Sequence, residues 1–270
     1  MRFLLHTATT PVEDLALEEA IQLGMEEGIS PPTWRVWQAR EPALVLGTGQ
    51  EHAKELHLGA VRDEGIPVLR RHSGGGAVLI GPGVLNYSAF HFIDRLPGAQ
   101  TIGGAMEAAL KPVLEALAVL APFNSRFAIR NPRFQLAGLS DIAVSAPASE
   151  LGTRDSELLK KLAGNSQARK RRSVLVHGTL LADPDWAALE RYLRFPSRAP
   201  DYRSGRAHRA FLTSLKELDA PEELGAFAQA LRLALGHSDP IETTPLDKET
   251  QTAALLVAEK YARPTWNLRR

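Results

Sequence analysis

Three consecutive glycines, Gly74-Gly75-Gly76, stand between two short apolar runs and directly follow Arg70-Arg71-His72-Ser73. Glycine gives up more backbone freedom on folding than any other residue, so a run of three belongs to a tight loop and not to a helix or a strand interior. The run therefore fixes a strand–loop–strand unit in this part of the chain. Two functions fit such a loop. Its bare N–H groups can form a concavity for an anion, with the arginine pair adding charge-assisted donors, or it can be a plain flexible hairpin. The hairpin reading leaves the neighbouring arginines and serine without a reason. The glycine spacing matches no dinucleotide fingerprint, and the phosphate-loop lysine signature is absent.

Periodicity supplies the elements around the loop. Thr10-Pro11-Val12-Glu13 has the cap, the first-turn proline and the glutamate of a helix start, and the spacing predicts a helix over 10–27. Strands are expected at 33–37, 43–47, 67–70, 77–80, 84–92, 138–144 and 173–181. Helices are expected at 53–63, at 102–120 with Pro112 as a kink or early turn, and at 185–192, 221–235 and 246–261. The polar stretch 145–157 reads as a loop. Strands and hairpins with helices interspersed, in place of strict strand–helix alternation, predict an α+β fold with a central mixed, largely antiparallel sheet. No repeat or linker divides the chain, so 1–270 reads as a single domain.

The 44% hydrophobic and 23% charged fractions are those of a folded globular protein. No apolar run approaches the roughly 20 residues that cross a bilayer, and the N-terminus has no secretory core; the expectation is a cytoplasmic protein with no membrane partner. A net charge of +1 gives no global field toward nucleic acid. Two segments are locally basic: Arg169-Lys170-Arg171-Arg172, and the stretch carrying Arg191, Arg194, Arg198, Arg203, Arg206 and Arg209. Each is either a solvated surface loop or a site for an oxyanion or an acidic protein. The absence of cysteine excludes disulfides, thiolate metal sites and thiol nucleophiles.

A second cluster runs from Lys160-Lys161 through Gly164-Asn165-Ser166, followed by His177-Gly178-Thr179. A lysine before small residues can lie along a narrow pocket and place its charge on a carbonyl or phosphate, or it can sit on the surface of a polar hairpin. His177 lies in an apolar strand, where a hydrogen-bonded core histidine is commoner than a catalytic one. The 8 histidines form no metal-ligand pattern, so no metal site made of protein ligands alone is expected.

On these residues the chain resembles the lipoate–protein ligase and octanoyltransferase superfamily. The resemblance rests on Arg70 to Val78, on Gly138 to Val144 with Asp141, on Lys161 with Gly164-Asn165-Ser166, and on His177 to Leu181; Ala16 to Ala20, Gly47 to Gln50 and Trp266-Asn267 add to it. It implies the biotin/lipoate ligase-like fold, related to class II aminoacyl-tRNA synthetases, with the glycine loop over an elongated acyl pocket. By resemblance, Lys161 is the catalytic residue, holding the acyl carbonyl and phosphate oxygens. Arg70, Arg71, Ser73, Gly74, Gly75, Gly76, Ala77, Val78 and Leu79 would hold the adenylate. Asn86, Asp141, Gly164, Asn165, Ser166, His177, Gly178 and Thr179 complete the substrate and nucleotide site, with Asp141 orienting either Lys161 or the base.

Octanoyltransferases of the superfamily pass the acyl group through a cysteine thioester, which this chain cannot form. The resemblance then implies the ligase activity: ATP with Mg2+ activates lipoic or octanoic acid to acyl-AMP, and a lysine of a lipoyl-carrier domain receives the acyl group. That domain would belong to the acyltransferase subunit of a 2-oxoacid dehydrogenase or to a glycine-cleavage H-type protein. Many ligases of the family carry a His-Asp pair where Ile80 to Val84 stand here, and no accessory C-terminal domain is expected after Trp266-Asn267, so a separate accessory chain is a further expected partner. Two alternatives stand beside this reading: a cysteine-independent octanoyl or lipoyl transferase, and a non-catalytic acyl- or nucleotide-binding module. Arg198, Arg203 and Arg206 are the expected docking residues for an acidic acceptor, or else hold the ATP phosphates.

Overall fold

Thr10 caps the first helix as expected: its hydroxyl accepts from the Glu13 N–H, the Glu13 carboxylate accepts from the Thr10 N–H, and Pro11 opens the first turn. The computed structural model describes residues 1–121, 133–145 and 159–269. Its strands are β1 (Arg2–Leu5), β2 (Thr33–Trp37), β3 (Ala43–Leu46), β4 (Val68–Arg70), β5 (Val78–Ile80), β6 (Val84–Phe92), β7 (Arg133–Ala137), β8 (Asp141–Ser145), β9 (Lys160–Arg169) and β10 (Ser173–Leu181). The helices are α1 (Pro11–Glu26), α2 (His52–Glu55), α3 (Leu58–Asp63), α4 (Ile102–Leu120), α5 (Trp186–Tyr192), α6 (His208–Phe211), α7 (Leu224–Ala234), α8 (Asp247–Leu256) and α9 (Pro264–Asn267). None among the described residues is long and apolar enough to cross a membrane.

Among the described residues a seven-stranded sheet runs in the order β1-β2-β6-β10-β9-β8-β7, and a small sheet in the order β4-β3-β5. In the large sheet only β1–β2 is parallel; the other pairings are antiparallel. The fold is therefore the expected α+β arrangement with a mixed, largely antiparallel sheet. Strand alternation sorts its two faces. Leu85, Tyr87 and Ala89 of β6, with Val174, Val176 and Leu180 of β10, pack into one core with Leu110, Val113 and Leu117 of α4 and Phe227 and Leu231 of α7. Phe90 and Leu175 pack on the opposite face with Leu15, Ala16 and Ile21 of α1. Asn86, Ser88, His177 and Thr179 share the parity of that second face, and it is there that polar side chains gather.

Several elements differ from expectation, each for a local reason. The 53–63 helix is two short ones, because Leu56 is extended and buried between them, bridging to Leu193. The α4 helix runs unbroken through Pro112, which lies on its partly exposed side, where the carbonyl left unpaired can reach water. The expected 138–144 strand begins only at Asp141, since Gly138 at φ +59° turns the chain out of β7. The polar cluster around Lys161, readable as a hairpin, is instead the ten-residue strand β9. Of the expected 145–157 loop, residues 146–157 fall outside the described residues.

Candidate active site

The polar face of the large sheet opens into a cavity of about 870 Å³, closed on one side by Gly75 to Ile80 and on another by residues between Leu193 and Leu212. Its volume is that of a small-molecule site. Leu15, Trp37, Val45 and Ile80 line an apolar part of it, and Lys161, Asp141, Asn86 and Thr179 a polar part.

Lys161 reaches that polar part through an irregularity in the sheet. Ile142 pairs with Ala163 but Ala143 pairs with Lys161, so Leu162 is one residue too many on β9. In a regular strand, residues 161 and 164 would face opposite sides; the bulge puts them on the same side. A Cβ at Gly164 would lie 2.8 Å from Lys161 Nζ and 3.9 Å from Asp141 Oδ1. The missing side chain at 164 is thus the space occupied by the ammonium. Lys161 Nζ stands 2.8 Å from Asp141 Oδ1, and Asp141 Oδ2 accepts from the Tyr202 hydroxyl at 2.8 Å. Burial, together with the Asp141 charge and hydrogen bond, pushes Tyr202 ionisation far up, so the phenol acts as a donor.

The glycine loop is held from behind. Arg71 borders the cavity, but its guanidinium donates to Ser73 Oγ at 3.0 Å, to the Gly74 and Gly76 carbonyls at 2.5 and 2.8 Å, and to the Val45 carbonyl at 3.3 Å. Burial draws its pKa down to about 10. Arg70 is fully buried outside the cavity and binds the Gly47, Gln50 and Arg269 carbonyls at 2.7 to 2.8 Å. Both arginines thereby brace the loop and the C-terminal segment. Gly75, at φ +83°, is where the loop turns into the cavity.

Ser73, His177 and Glu18 form a buried line: Ser73 Oγ lies 2.6 Å from His177 Nε2, and His177 Nδ1 2.8 Å from Glu18 Oε2. Burial opposes the Glu18 charge, but His177, Arg35 and the Ser88 hydroxyl outweigh it and hold the carboxyl near about 2. The order serine–histidine–carboxylate is that of an acyl-transfer triad. Its serine is misplaced for that role: Ser73 is 1% exposed, lies outside the cavity wall and already accepts from Arg71. The line pins the root of the glycine loop to β10 and α1.

Of the other expected site residues, Gly75, Gly76, Ala77, Val78, Leu79, Asn86, Gly164, Asn165, Ser166, Gly178 and Thr179 all border the cavity, while Ser73 and Gly74 stand behind it. Asn165 works mainly inside the sheet: it accepts from Tyr87 at 2.5 Å and donates to the Ser140 carbonyl at 2.8 Å. Among the described residues no cluster of three or more metal-ligating side chains forms. Docking by Arg203 and Arg206 is corrected. Arg203 is 3% exposed, and each guanidinium donates to the other's backbone carbonyl, closing a turn; Arg198 stays exposed at the rim. Trp37 and Tyr202 also line the cavity without having stood out in the sequence, and so does Glu18, which the sequence offered only as part of the Ala16 to Ala20 stretch.

The fold is that of solved lipoate–protein ligases. The chain superposes on the bi-partite lipoate protein ligase of Thermoplasma acidophilum with a TM-score of 0.75 at 24% identity, covering 100% of this chain and 97% of that one. A lipoate-protein ligase A bound with ATP gives a TM-score of 0.68 at 24% identity, covering 99% and 98%. The chain belongs to the lipoyl protein ligase A/B catalytic-domain family, whose model matches residues 10–235. Among its relatives, octanoyltransferase LipM of Symbiobacterium thermophilum is 32% identical over 99% of this chain and 98% of its own, and that of Brevibacillus brevis is 28% identical over 100% and 99%.

Proposed function

We propose that this enzyme moves a medium-chain acyl group, octanoyl in the first instance, from a carrier thioester directly to a lysine of a lipoyl-carrier domain. The observation that carries the reading is the Lys161 ammonium held by Asp141 at a cavity of about 870 Å³ in a chain that has no thiol. The relatives named octanoyltransferase support the donor.

A thioester is already activated, so the acceptor amine can attack it without an enzyme-bound intermediate. The amine nitrogen bonds to the carbonyl carbon, the carbonyl oxygen gains negative charge, and the C–S bond breaks. The amine's proton ends on the departing sulfur. What the protein supplies is alignment and a charge that meets the oxyanion: Lys161, held by Asp141 in a partly water-excluded cavity. The apolar wall at Leu15, Trp37 and Val45 takes the chain, and Arg198 stands at the rim where an acidic carrier would approach.

ATP-dependent ligation is the second reading, favoured by the cavity volume and by the backbone of Gly75 and Gly76 lining it. Lys161 and the loop N–H groups would then meet an adenylate phosphate, although Arg70 and Arg71 are spent inside the protein. One experiment separates the readings: purified enzyme and a lipoyl domain are given either an octanoyl-loaded acyl carrier protein, or octanoate with ATP and Mg2+, and the lipoyl domain is weighed by mass spectrometry. Acylation by the carrier without nucleotide is the expected result. Acylation only with ATP, accompanied by octanoyl-AMP, establishes the ligase instead, and no acylation from either donor leaves a binding module.

A further inference from the structure

Residues between Leu193 and Leu212 line one side of the cavity, and the segment is tied at both ends. Leu193 bridges to Leu56, and the Thr213 N–H donates to the Lys161 carbonyl at 2.9 Å. Between these anchors the chain reverses at Ser204 and Gly205, both at positive φ, inside the turn closed by Arg203 and Arg206. Arg206 also donates to the Tyr202 carbonyl at 2.7 Å, and the Tyr202 ring packs on buried Phe211 with centroids 5.2 Å apart. The phenol is therefore aimed by a rigid turn.

We infer that Tyr202 is a positioning residue, which through Asp141 holds the Lys161 ammonium at the reacting carbonyl; the inference rests on the proposed role of Lys161. A carboxylate bound at one oxygen can rotate about its Cβ–Cγ bond. Asp141 is bound at both, by Lys161 and by Tyr202, and rotation would break both contacts. The segment that closes the cavity thus fixes Lys161 twice, its backbone through Thr213 and its side chain through Tyr202 and Asp141. Without the hydroxyl the carboxylate turns and the ammonium follows it, and a displaced charge loses much of its effect on a transition state.

The test is a four-member cycle of wild type, Tyr202→Phe, Asp141→Asn and the double variant, assayed for octanoyl transfer. Phenylalanine keeps the packing on Phe211 and removes only the hydroxyl. Tyr202→Phe is expected to lower kcat roughly tenfold, the worth of one hydrogen bond to a charged group, and to leave KM for the acyl donor unchanged. In the Asp141→Asn background the same substitution is expected to cost nothing further, because its effect passes through the carboxylate. Equal losses in both backgrounds, or wild-type kcat in Tyr202→Phe, overturn the inference. Failure of the underlying reading shows separately, as full transfer by Lys161→Ala. The positional claim then stands on amine labelling of Lys161 followed by peptide mass spectrometry: faster labelling in Tyr202→Phe supports it, and an unchanged rate overturns it.

Discussion

Lys161 Nζ and Asp141 Oδ1 stand 2.8 Å apart beside a bulge in the sheet, and both line the cavity. The lysine side chain is about a quarter exposed, and Asp141 keeps the Tyr202 hydroxyl as a second partner, so losing the ammonium does not leave the carboxylate unpaired. Lys161→Ala is expected to lower transfer by about 100-fold or more, the scale of losing one oxyanion donor, while the protein still melts cooperatively. Lys160→Ala should transfer normally. Steady-state rates and thermal melts of the two variants check both statements.

Gly164 and Gly178 give contrasting expectations from the same kind of change. A methyl at 164 meets the far end of the Lys161 side chain and no backbone, so Gly164→Ala should keep its fold and lose kcat by displacing the ammonium. A methyl at 178 would lie 2.0 Å from Asn165 Oδ1 and 2.7 Å from Tyr87 Oη, atoms bonded to each other and buried. Gly178→Ala should therefore cost about 1 to 3 kcal/mol of stability, as overpacked cores do, measured as a fall in the denaturation midpoint.

At Gly75 the loop turns with φ +83°, and a Cβ would lie 2.8 Å from an Arg71 guanidinium nitrogen and 3.3 Å from Ser166. Gly75→Val should strain the backbone by about 1 to 3 kcal/mol and push the loop off its brace. Calorimetry with a non-hydrolysable octanoyl-thioester analogue is expected to show weaker binding by tenfold or more.

Acid should weaken the protein first through two buried histidines. Burial draws both His72 and His91 down to about 4 from an ordinary 6.5. Between those values the unfolded chain binds protons that the folded one does not, so stability falls as pH drops from about 6.5 to about 4. Glu18, held at about 2, adds a second loss as pH falls from about 4.5 toward 2. Urea titrations from pH 7 to pH 4 should show the first slope, and His91→Gln should flatten it.

The glycine loop, Lys161 and the strand carrying His177 were legible in the sequence because each is a local cluster of unusual residues. The bulge at Leu162 was not, since one extra apolar residue in a strand leaves no periodic trace. Nor was the line from Ser73 through His177 to Glu18, whose members are 104 and 159 residues apart and meet only through sheet order. The segment carrying Tyr202 misled in its arginines: a basic run reads as a docking face, whereas cation–π stacking of Arg203 on Phe195 and Phe211 folds it inward. Composition gives the charge of such a run but not the direction in which it points.

The most direct test of acyl transfer without an enzyme-bound intermediate is a single-turnover reaction with octanoyl-loaded acyl carrier protein and a lipoyl domain, quenched over time and read by intact mass. The octanoyl mass is expected to leave the carrier and arrive on the lipoyl domain with equal rates, the enzyme keeping its unmodified mass at every time point. An octanoylated enzyme that rises and decays between the two, or a lipoyl domain that stays unmodified, would contradict it.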